Sequence, residues 1–424
     1  MEETDSLKKS KKKEKKKIVP YFNTYQMQIT TYIILLCIIS LFTFVLIIIP
    51  ELNKQPEIIH YDYLIVGSGL FGSIFNYIAR KYNKTTLIIE RRKVVGGQLY
   101  CFKSDKFYIH KFGPRILHTN SKKIWDLANE IVPFSPLYIQ PVTKIKDQIY
   151  SSSYNMWLFN KLWGVNTPEE AQNLLDGKRY YGNITNLEEQ IKSYVGEEFY
   201  EKFFRYSVQK QIGNKCPNLP PFIIEMVPIT FKYDNNFYYN DIYQGIPENG
   251  YTQFIKNALK YTEVKLNSDY FKIKYKFRDL ADHIIFTGRI DEYYDYRFGE
   301  LEYTTVRYDH ILKHVQNFQG NGIVNYPEMN VPYNKIIEIK HFQPYDEELQ
   351  NYEKTILSYE YSEEWNRYKE PYYPLNDEKN RNLYLKYKEL ADQEKNITFA
   401  GKLATYRYYE IEDVFKEVLE FFKN

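Results

Sequence analysis

The sequence predicts an α/β fold built around a dinucleotide-binding unit, on three observations. First, Tyr63–Val66 is an apolar, β-branched run typical of a buried strand, and it leads directly into a Gly-x-Gly-x-x-Gly motif at Gly67–Gly72. Second, apolar residues recur at helical spacing over Leu70–Tyr82. Third, the apolar run Thr85–Ile89 ends in Glu90, near the spacing of about 20 residues after the glycines at which an acid binds ribose.

The three glycines of this motif have distinct roles in such a fold. Gly67 permits the tight turn, Gly69 lets the backbone approach a pyrophosphate, and Gly72 lets the helix pack against the strand. The helix N-terminus adds unpaired N–H groups for the anion. The alternative is a turn that is merely rich in glycine, but the strand, the helix and the acid around the motif favour a dinucleotide site.

Later segments complete the unit. Ala281–Thr287 is again a buried-strand pattern, and Ile397–Ala400 ends in Gly401 ahead of a helix that starts near Glu410. The dinucleotide fold therefore opens with two strands and is finished at the C-terminus.

Between these segments the pattern changes twice. Lys122–Tyr206 is mostly helical in pattern, and Pro217 is the first of several prolines that end this region. Beyond them, alternating or apolar runs predict strands at Ile223–Tyr233, Thr304–Tyr308, Asn317–Asn325 and Tyr333–His341.

The composition excludes several classes of function. Among 424 residues, 57 are basic and 54 are acidic, so no charge excess favours nucleic acid as a partner. The three cysteines, Cys37, Cys101 and Cys216, show neither a disulfide framework nor zinc spacing, and no metal site is expected. The length is sufficient for about two or three domains.

The segment before His60 has a different character. Lys8–Lys17 is almost continuous lysine and predicts a solvated, disordered run. Ile29–Ile49 carries no charge and is long enough to span a membrane, and Pro50 follows it. Because no small-residue cleavage pattern comes next, we expect a retained single-pass anchor rather than a cleaved signal peptide. The alternative is a buried helix.

The charges on either side of this span predict its orientation. Lysines precede the span, whereas Glu51–Glu57 holds two acids and one lysine. By the positive-inside rule the N-terminus is cytoplasmic, and the larger domain lies on the far side of the membrane. Glycosylation sequons at Asn83, Asn183 and Asn396 are close to chance in a chain so rich in asparagine, and they decide nothing.

From about His60 to the C-terminus, these stretches and several between them resemble the UDP-galactopyranose mutase family of flavoenzymes. Other FAD oxidoreductases share only the first and last motifs. The matching stretches are Tyr63–Gly69, Gly96–Gly97, Ile109–Lys111, His118–Asn120, Trp163–Val165, Tyr243–Pro247, Gly250–Thr252, Tyr296–Gly299, Asn317–Gly320, Val331–Tyr333, Pro371–Pro374 and Thr405–Tyr408.

Together with the N-terminal span, the resemblance implies an α/β fold with a Rossmann-like FAD-binding domain. A helical insertion and an antiparallel β-sheet domain interrupt that domain, and the transmembrane helix precedes it. The expected ranges are 1–28 for a basic disordered N-terminus, 29–49 for the transmembrane helix, 58–132 with 243–290 and 374–424 for the FAD-binding domain, 133–206 for the helical insertion, and 207–242 with 291–373 for the antiparallel sheet and substrate domain.

The resemblance also implies a chemistry that the cofactor carries. In this family, the N5 of reduced FAD attacks the anomeric carbon of UDP-galactose and displaces UDP. The sugar, held as an adduct, opens and recloses as the five-membered ring. The expected activity is therefore that of an isomerase that interconverts UDP-galactopyranose and UDP-galactofuranose, with FAD as cofactor and a UDP-sugar as substrate. A homo-oligomer is compatible with this expectation.

The cofactor motifs of the family carry over well. His118 matches a family histidine on the loop that faces the isoalloxazine, and the alternative for it is a capping or core histidine. The residues that the resemblance assigns to FAD are Gly67, Gly69, Leu70, Phe71, Gly72, Glu90, Arg91, Gly96, Gly97, Gln98, His118, Gly401, Arg407 and Tyr408.

The substrate motifs of the family depart from the pattern. Arg115 replaces a second histidine, Thr230 replaces an arginine, and the two family arginines that bind the diphosphate are Lys335 and Lys402. A tyrosine and a tryptophan near the uracil are lost from Ser207–Gly213. An Arg-to-Lys change keeps the charge but loses the bidentate fork. A one-residue insertion blurs whether Phe237 or Tyr238 meets the nucleotide.

The resemblance implies catalytic roles for His118, Arg115, Lys335 and Lys402. It implies substrate contacts for Phe204, Ile212, Phe237, Tyr238, Lys335, Tyr373, Lys402 and Tyr406. Two alternatives stay open: a flavoenzyme of the same family that acts on a different nucleotide sugar, and a membrane-tethered flavin or nucleotide-sugar binding protein without turnover.

Overall fold

The computed structural model describes residues 24–48, 60–224 and 226–423 of the chain. They fall into two compact units, of which the first ends at Ile59 and the second begins at His60. In the first unit, Thr24–Thr43 is an α-helix, and Phe44–Ile48 continues it with a wider, π-type turn.

This N-terminal helix is able to cross a membrane. Gln26–Ile47 is long and apolar enough to do so, although a signal sequence has the same two properties. The helix begins at Thr24, so the prediction of disorder over 1–28 is wrong for its last residues, because the apolar helix extends back into them. The lysine run and Ile49 lie outside the described residues.

The second unit is built on a five-stranded parallel sheet. Both of its faces are buried, which explains why its strands appear in the sequence as apolar runs rather than as an alternation. The four strands predicted for the dinucleotide fold are confirmed here to within two residues. In spatial order the strands are Glu263–Lys265, Thr86–Ile89, Tyr61–Val66, Ala281–Phe286 and Ile397–Phe399.

Helices cover the two faces of this sheet. On one face, Ile65 and Ile285 pack beneath Phe75, which lies on the predicted helix Leu70–Lys81. On the other face, Leu64 and Phe286 belong to a cluster with Tyr270. The helices of this part of the chain are Leu70–Lys81, Lys122–Ile131, Gly250–Ala258, Tyr270–Phe277, Ile290–Tyr293, Glu378–Ala391, Gly401–Ala404 and Ile411–Phe421.

Two small sheets flank the parallel sheet. Cys101–Ser104 and Phe107–His110 form an antiparallel hairpin. Tyr243–Pro247 is the central strand of a three-stranded antiparallel sheet, between Leu117–Thr119 and Phe134–Pro136.

A seven-stranded sheet forms the second large layer. Its neighbouring strands run antiparallel, except that Ile323–Asn325 lies parallel to Val142–Ile145. The short helix Glu347–Gln350 lies between two of its strands in the chain. In spatial order the strands are Tyr373–Pro374, Tyr303–Lys313, Thr355–Glu363, Lys335–Glu338, Ile323–Asn325, Val142–Ile145 and Gln148–Ser151.

A cluster of short helices has its own apolar core, which includes Phe159 and Phe199. Asn155, Thr167 and Asn186 cap three of these helices through their side chains, as such residues do at helix N-termini. The helical segments are Met156–Trp163, Pro168–Lys178, Leu187–Val195, Glu197–Phe199, Tyr200–Phe204 and Arg205–Ile212.

Two expectations about the middle of the chain need correction. Val142–Ile145 and Gln148–Ser151 lie inside the range predicted for the helical insertion, but they are strands of the seven-stranded sheet. The antiparallel sheet has one parallel pair. The remaining domain boundaries stay predictions.

The strand predicted at Ile223–Tyr233 is wrong. In the described part of this segment, the only strand pairing is a single bridge between Ile229 and Tyr154. Pro228 lacks an N–H donor for a ladder, and the Tyr194 hydroxyl donates to the carbonyl of Val227 at 3.1 Å. The apolar alternation reflects packing against the helical core.

The strand predicted at Asn317–Asn325 is limited to Ile323–Asn325. The preceding residues form a loop because the Glu338 carboxylate accepts hydrogen bonds from the N–H groups of Phe318 and Gln319, each at 2.9 Å.

Candidate functional site

A cleft runs along the carboxyl ends of the parallel strands, where Rossmann folds bind their ligands. Many of the predicted cofactor residues line it, together with some of those predicted for the substrate. The predicted residues that line the cleft are Gly67, Gly69, Leu70, Phe71, Glu90, Arg91, Gly96, Gly97, Gln98, Arg115, Tyr373, Gly401 and Lys402.

The turn after Val66 has the geometry that a bound pyrophosphate requires. Gly67 has a φ of +107°, and a Cβ there would lie 2.3 Å from Thr287 Oγ1. At Gly69 a Cβ would meet nothing within 4 Å, so open space lies in front of this backbone. Leu70–Lys81 begins there without a side-chain cap and presents N–H groups and its positive dipole end to that space.

Gly72 lies on the protein side of the same turn and does not line the cleft. A Cβ at Gly72 would lie 2.1 Å from Gly67 O and 2.9 Å from a side-chain carbon of Ile65. Only glycine permits this approach of helix to strand, which is the role that the sequence predicted.

Two further glycine segments close around the turn. Gly96 N donates to Ser68 O at 3.0 Å, and a Cβ at Gly97 would lie 3.1 Å from Gly69 Cα. At the last strand, a Cβ at Gly401 would lie 3.2 Å from that of Phe71. The open cradle and the free helix N-terminus therefore fit a dinucleotide cofactor.

Glu90 is held at the edge of this cradle. Its buried carboxylate accepts hydrogen bonds from Ser68 N at 2.9 Å, Ser68 Oγ at 2.8 Å and Arg92 N at 2.8 Å. The acid predicted for ribose is thus fixed beside the glycine turn, with its carboxylate at the cleft.

Several residues beside Glu90 were not predicted. Ser268 and Asp269 line the cleft, and Ser268 N donates to Glu90 O at 2.9 Å. They lie there because Glu263–Lys265 pairs with Thr86–Ile89. This edge strand is short and carries two charges, so no strand pattern in the sequence indicated it.

Three more cleft residues that were not predicted are Arg92, Glu292 and Glu370, and each pairs with a residue from a distant segment. Arg92 pairs with Glu370 at 2.5 Å, and Arg91 Nη1 lies 3.5 Å from Glu292 Oε2. Burial raises the pKa of Glu292 against the opposing influence of Arg91. A local pattern carries no signal for pairs that are so far apart in the chain.

Arg115 lines another part of the cleft, after the turn at Gly113. Its Nη1 donates to the Tyr373 hydroxyl at 2.5 Å, and its guanidinium lies 5.1 Å from the ring centre of Tyr372 and 5.3 Å from that of Tyr373. Arginine stays charged in proteins. Among residues 60–224 and 226–423, no carboxylate forms an ion pair with it.

Lys402 lies over the same two tyrosines. Its Nζ is 5.6 Å from the ring centre of Tyr372 and 5.3 Å from that of Tyr373. It donates to the side-chain oxygen of Gln98 and, at 2.5 Å, to Tyr372 O. Withdrawal from water, and then the charge of Arg115, lower the pKa of Lys402 to about 7.

His118 does not line the cleft, but it contacts Glu410, which does. Its Nδ1 lies 2.7 Å from Asp241 Oδ2, its Nε2 lies 3.5 Å from Glu410 Oε2, and its ring stacks on Tyr238 at 3.7 Å. Burial opposes the charge of His118, but the two carboxylates outweigh it and raise the pKa.

Lys335 lies on the seven-stranded sheet, directly opposite Glu360, and its Nζ is 3.4 Å from Glu360 Oε2. It does not line the cleft. The Tyr308 hydroxyl donates to the same carboxylate and lies 3.4 Å from the hydroxyl of Tyr372. Lys335 is therefore linked through two tyrosines to the part of the cleft that holds Arg115.

The C-terminal turn does not place all of its predicted residues at the cleft. Tyr406 is buried, and its hydroxyl donates to two backbone carbonyls, including Leu375 O at 3.1 Å. Arg407 Nη2 pairs with Glu417 at 2.9 Å. Tyr406 has a φ of +48°, and neither Tyr406 nor Arg407 lines the cleft. The contact of Tyr406 with substrate and that of Arg407 with FAD stay predictions. The Tyr408 ring lies 5.3 Å from that of Tyr373.

Four other residues predicted for the substrate also lie away from the cleft lining. Phe204 and Ile212 pack against the helical core. Phe237 contacts Tyr238 at 5.2 Å between ring centres, and Tyr238 stacks on His118. In the part of the chain that the structure describes, no cluster of His, Cys, Asp and Glu is placed to hold a metal ion.

Comparisons with known proteins agree with this geometry. The family model described as UDP-galactopyranose mutase matches residues 202–408, and one described as NAD(P)-binding Rossmann-like domain matches residues 65–131. The chain is 31% identical over 367 residues to the dTDP-fucopyranose mutase of Escherichia coli, covering 84% of this chain and 96% of that protein. It is 30% identical over 362 residues to the probable UDP-galactopyranose mutase of Klebsiella pneumoniae, covering 84% and 92%.

Solved structures share the fold. A crystal structure of reduced UDP-galactopyranose mutase superposes with a TM-score of 0.66 at 14% identity, covering 85% of this chain and 94% of that one. A putrescine oxidase gives a TM-score of 0.57 at 11% identity, covering 86% and 100%. The open glycine cradle and the match to the Rossmann-like family model indicate a dinucleotide cofactor. With two relatives at this identity and coverage, the chain belongs to the UDP-galactopyranose mutase family of isomerases.

Proposed function

We propose that this protein interconverts UDP-galactopyranose and UDP-galactofuranose with FAD as its cofactor. The observation that carries the proposal is the juxtaposition of Arg115 and Lys402, two cations that no described carboxylate pairs with, on the wall of the dinucleotide cleft. Cations withdrawn from water without a carboxylate partner favour a bound anion. The anion expected in this family is the diphosphate of a nucleotide sugar.

The chain's own residues would hold FAD in the cleft. The backbone at Gly69 and Gly97 and the start of the helix Leu70–Lys81 would receive the pyrophosphate, and Glu90 would bind the ribose hydroxyls. In its reduced form, FAD would supply a nucleophile for the anomeric carbon of the sugar.

The diphosphate would be held by Arg115, Lys402 and Lys335. Arg115 supplies a planar fork and the lysines supply compact charges. Tyr372 and Tyr373 support Arg115 and Lys402 from one side, and Glu360 holds Lys335 in place. His118, with Glu410, would orient the cleft wall next to these groups.

A second candidate substrate is a dTDP-linked sugar. The helix Arg205–Ile212 presents Ser207 and Ile212 where the family has a tyrosine and a tryptophan near the uracil. A changed contact to the base is consistent with a substrate that carries thymine instead of uracil. One relative is named dTDP-fucopyranose mutase. The loss of base stacking costs about 1–3 kcal/mol for any nucleotide.

The N-terminal helix would tether the enzyme to a membrane. The uncharged span with lysines on its N-terminal side favours a cytoplasmic N-terminus and an enzyme unit on the far side.

A substrate panel tests the proposal. The purified full-length protein, loaded with FAD and reduced with dithionite, is incubated with UDP-galactofuranose, UDP-galactopyranose, UDP-glucose and dTDP-fucopyranose, and the products are separated by chromatography. We expect interconversion of the two UDP-galactose forms. Ring interconversion of dTDP-fucose alone would replace the first candidate with the second, and turnover of neither would exclude both.

A further inference from the structure

The anion site of this chain contains a titratable group at a position where its family has arginine. Lys402 occupies the arginine position of the C-terminal motif and lines the cleft. Arginine keeps its charge at all physiological pH values, whereas a lysine that is withdrawn from water loses its proton readily. The substitution therefore changes the pH range over which the site is positively charged. It also changes the geometry of the contact with the anion.

We propose that Lys402 couples the binding of the nucleotide-sugar diphosphate to the uptake of one proton, so that substrate affinity falls as the pH rises. This inference rests on the proposed function, because it concerns the same diphosphate.

The groups in direct contact with Lys402 carry no negative charge that would stabilise its protonated form. Its two acceptors, the Gln98 side-chain oxygen and the Tyr372 carbonyl, are uncharged. The aromatic rings of Tyr372 and Tyr373 shield it from water on one side. An uncharged shell of this kind solvates an ammonium group less well than water does.

The charged groups around Lys402 are already engaged or are repulsive. Arg115 is a cation over the same rings and opposes the charge of Lys402. Glu370, an acid whose charge favours protonated Lys402, is held by Arg92 through two hydrogen bonds at 2.5 Å and 2.7 Å.

The second favourable acid, Glu410, is shared with His118 and with the Tyr408 hydroxyl. Burial raises the pKa values of the Tyr372 and Tyr408 hydroxyls, so these groups stay neutral. His118 is another titratable group beside this wall: burial opposes its charge, but Glu410 and Asp241 raise its pKa above the ordinary value.

The sign of the linkage follows from the pKa of about 7 that Lys402 has without a ligand. At pH 6 the amine of Lys402 is already protonated, so the binding of the diphosphate changes its protonation little. At pH 8 it is mostly neutral, and the approach of a doubly charged diphosphate raises its pKa. The amine then takes a proton from solvent, and no bond of the substrate changes. Affinity is expected to fall by up to about tenfold per pH unit above that pKa.

Isothermal titration tests this directly. The full-length protein in detergent, loaded with oxidised FAD, is titrated with UDP-galactose, whose diphosphate diester stays ionised throughout. Titrations at pH 6 and pH 8 use two buffers with different ionisation enthalpies, so that the dependence of the heat on the buffer reports the number of protons taken up. We expect uptake approaching one proton at pH 8 and little at pH 6.

Two matched variants isolate the source of the proton. Lys402→Arg keeps the charge permanently, so its proton uptake at pH 8 is expected to disappear and its affinity to become nearly independent of pH. Lys335→Arg makes the same change at the lysine paired with Glu360 and is expected to keep the uptake of the wild type. Uptake that persists in Lys402→Arg would belong to another group, such as His118, and would overturn the inference.

The outcomes also separate this inference from the proposed function. UDP-galactose binding at pH 8 without proton uptake by the wild type would overturn the inference alone. Absence of binding by all variants at both pH values would overturn the proposed function, and the inference with it.

Discussion

At the scale of single residues, neighbouring glycines meet opposite constraints. Gly69 faces open space, with nothing within 4 Å of a Cβ, whereas a Cβ at Gly72 would collide with Gly67 O at 2.1 Å. Gly69 is therefore needed for the approach of the ligand, and Gly72 is needed for the packing of the helix against the strand.

Gly69→Val separates these two roles. Because φ at Gly69 is −72° and the space is open, the variant is expected to fold, but its side chain would occupy the place of the pyrophosphate. We expect purified wild type to be yellow with FAD and the variant to be colourless with an unchanged circular dichroism spectrum. Gly72→Val is the control and should fail to fold. A yellow Gly69→Val protein would contradict the assignment of the cradle.

Arg115 allows a second test at this scale. Arg115→Ala removes a charged donor, which is worth about 2 kcal/mol, or roughly a thirtyfold loss of UDP affinity by titration. Lys335→Arg combined with Lys402→Arg restores two guanidinium groups that can bind phosphate in a bidentate way. This double variant should therefore bind UDP more tightly and turn over faster, because the sugar is better oriented. Arg307→Ala, which breaks exposed ion pairs to Asp309 and Glu363, is the control. If Arg115→Ala is silent and the double variant binds no better, these residues do not form a clamp.

The residues around the cleft also show what a sequence can predict. Gly67, Gly69 and Glu90 were found because their spacing is set by one turn and one strand. The pairing of Arg92 with Glu370 depends on a contact between distant segments, and no local pattern encodes it. The partners of Tyr406 and Arg407, the carbonyl of Leu375 and the carboxylate of Glu417, likewise come from other segments and could not be predicted from the C-terminal motif alone.

At the scale of elements, His118 ties three segments together. It lies on the strand Leu117–Thr119, and its two ring nitrogens face Asp241 from a loop and Glu410 from the start of the helix Ile411–Phe421. The carboxylates raise the pKa of His118 despite the opposing effect of burial. The helix start that lines the cleft is thus held by a charge that depends on pH.

This contact predicts a component of stability that depends on pH. A histidine with a raised pKa contributes stability fully below its ordinary pKa of about 6.5, and the contribution is lost as the pH rises through the folded value. The melting temperature of the wild type should therefore fall from pH 6 to pH 8.5 by more than that of His118→Gln. His60→Gln, which removes a solvent-screened pair with Asp282, is the control. Equal pH profiles for the wild type and His118→Gln would contradict the role of the contact.

Secondary structure was predictable where an element's own pattern decides it. Leu70–Lys81 and four of the five strands of the parallel sheet were predicted from apolar periodicity, whereas the short, charged edge strand Glu263–Lys265 was not. Ile223–Tyr233 has the alternation of a strand, but its apolar residues pack on helices instead of pairing. Local periodicity reports which residues are buried, and only the tertiary neighbours decide what buries them.

At the scale of the whole molecule, the dinucleotide fold was predictable and the second sheet was only partly so. The five parallel strands share one carboxyl edge, and the cleft follows from that topology. The seven-stranded sheet joins Val142–Ile145 to Ile323–Asn325, which are separated by the whole helical region. Strands so short, whose partner is so remote in the chain, have too weak a pattern to be placed from the sequence.

The N-terminal helix sets the expected position of the enzyme in the cell. If Gln26–Ile47 spans a membrane with the lysines on the cytoplasmic side, protease added to sealed microsomal vesicles should shorten the chain only at its N-terminus. The flavin unit should resist until detergent is added. Digestion of that unit in intact vesicles would reverse the orientation, and release of the chain by carbonate would exclude a spanning helix.

The central claim is that Arg115 and Lys402 hold a nucleotide-sugar diphosphate beside a flavin bound in the glycine cradle. The most direct measurement is the conversion of UDP-galactofuranose to UDP-galactopyranose by the FAD-loaded protein, followed by chromatography with and without dithionite. We predict conversion that requires dithionite, is absent in Gly69→Val and is greatly slowed in Arg115→Ala. Conversion that proceeds equally in Gly69→Val, or no conversion by reduced wild type that binds FAD, would contradict this account.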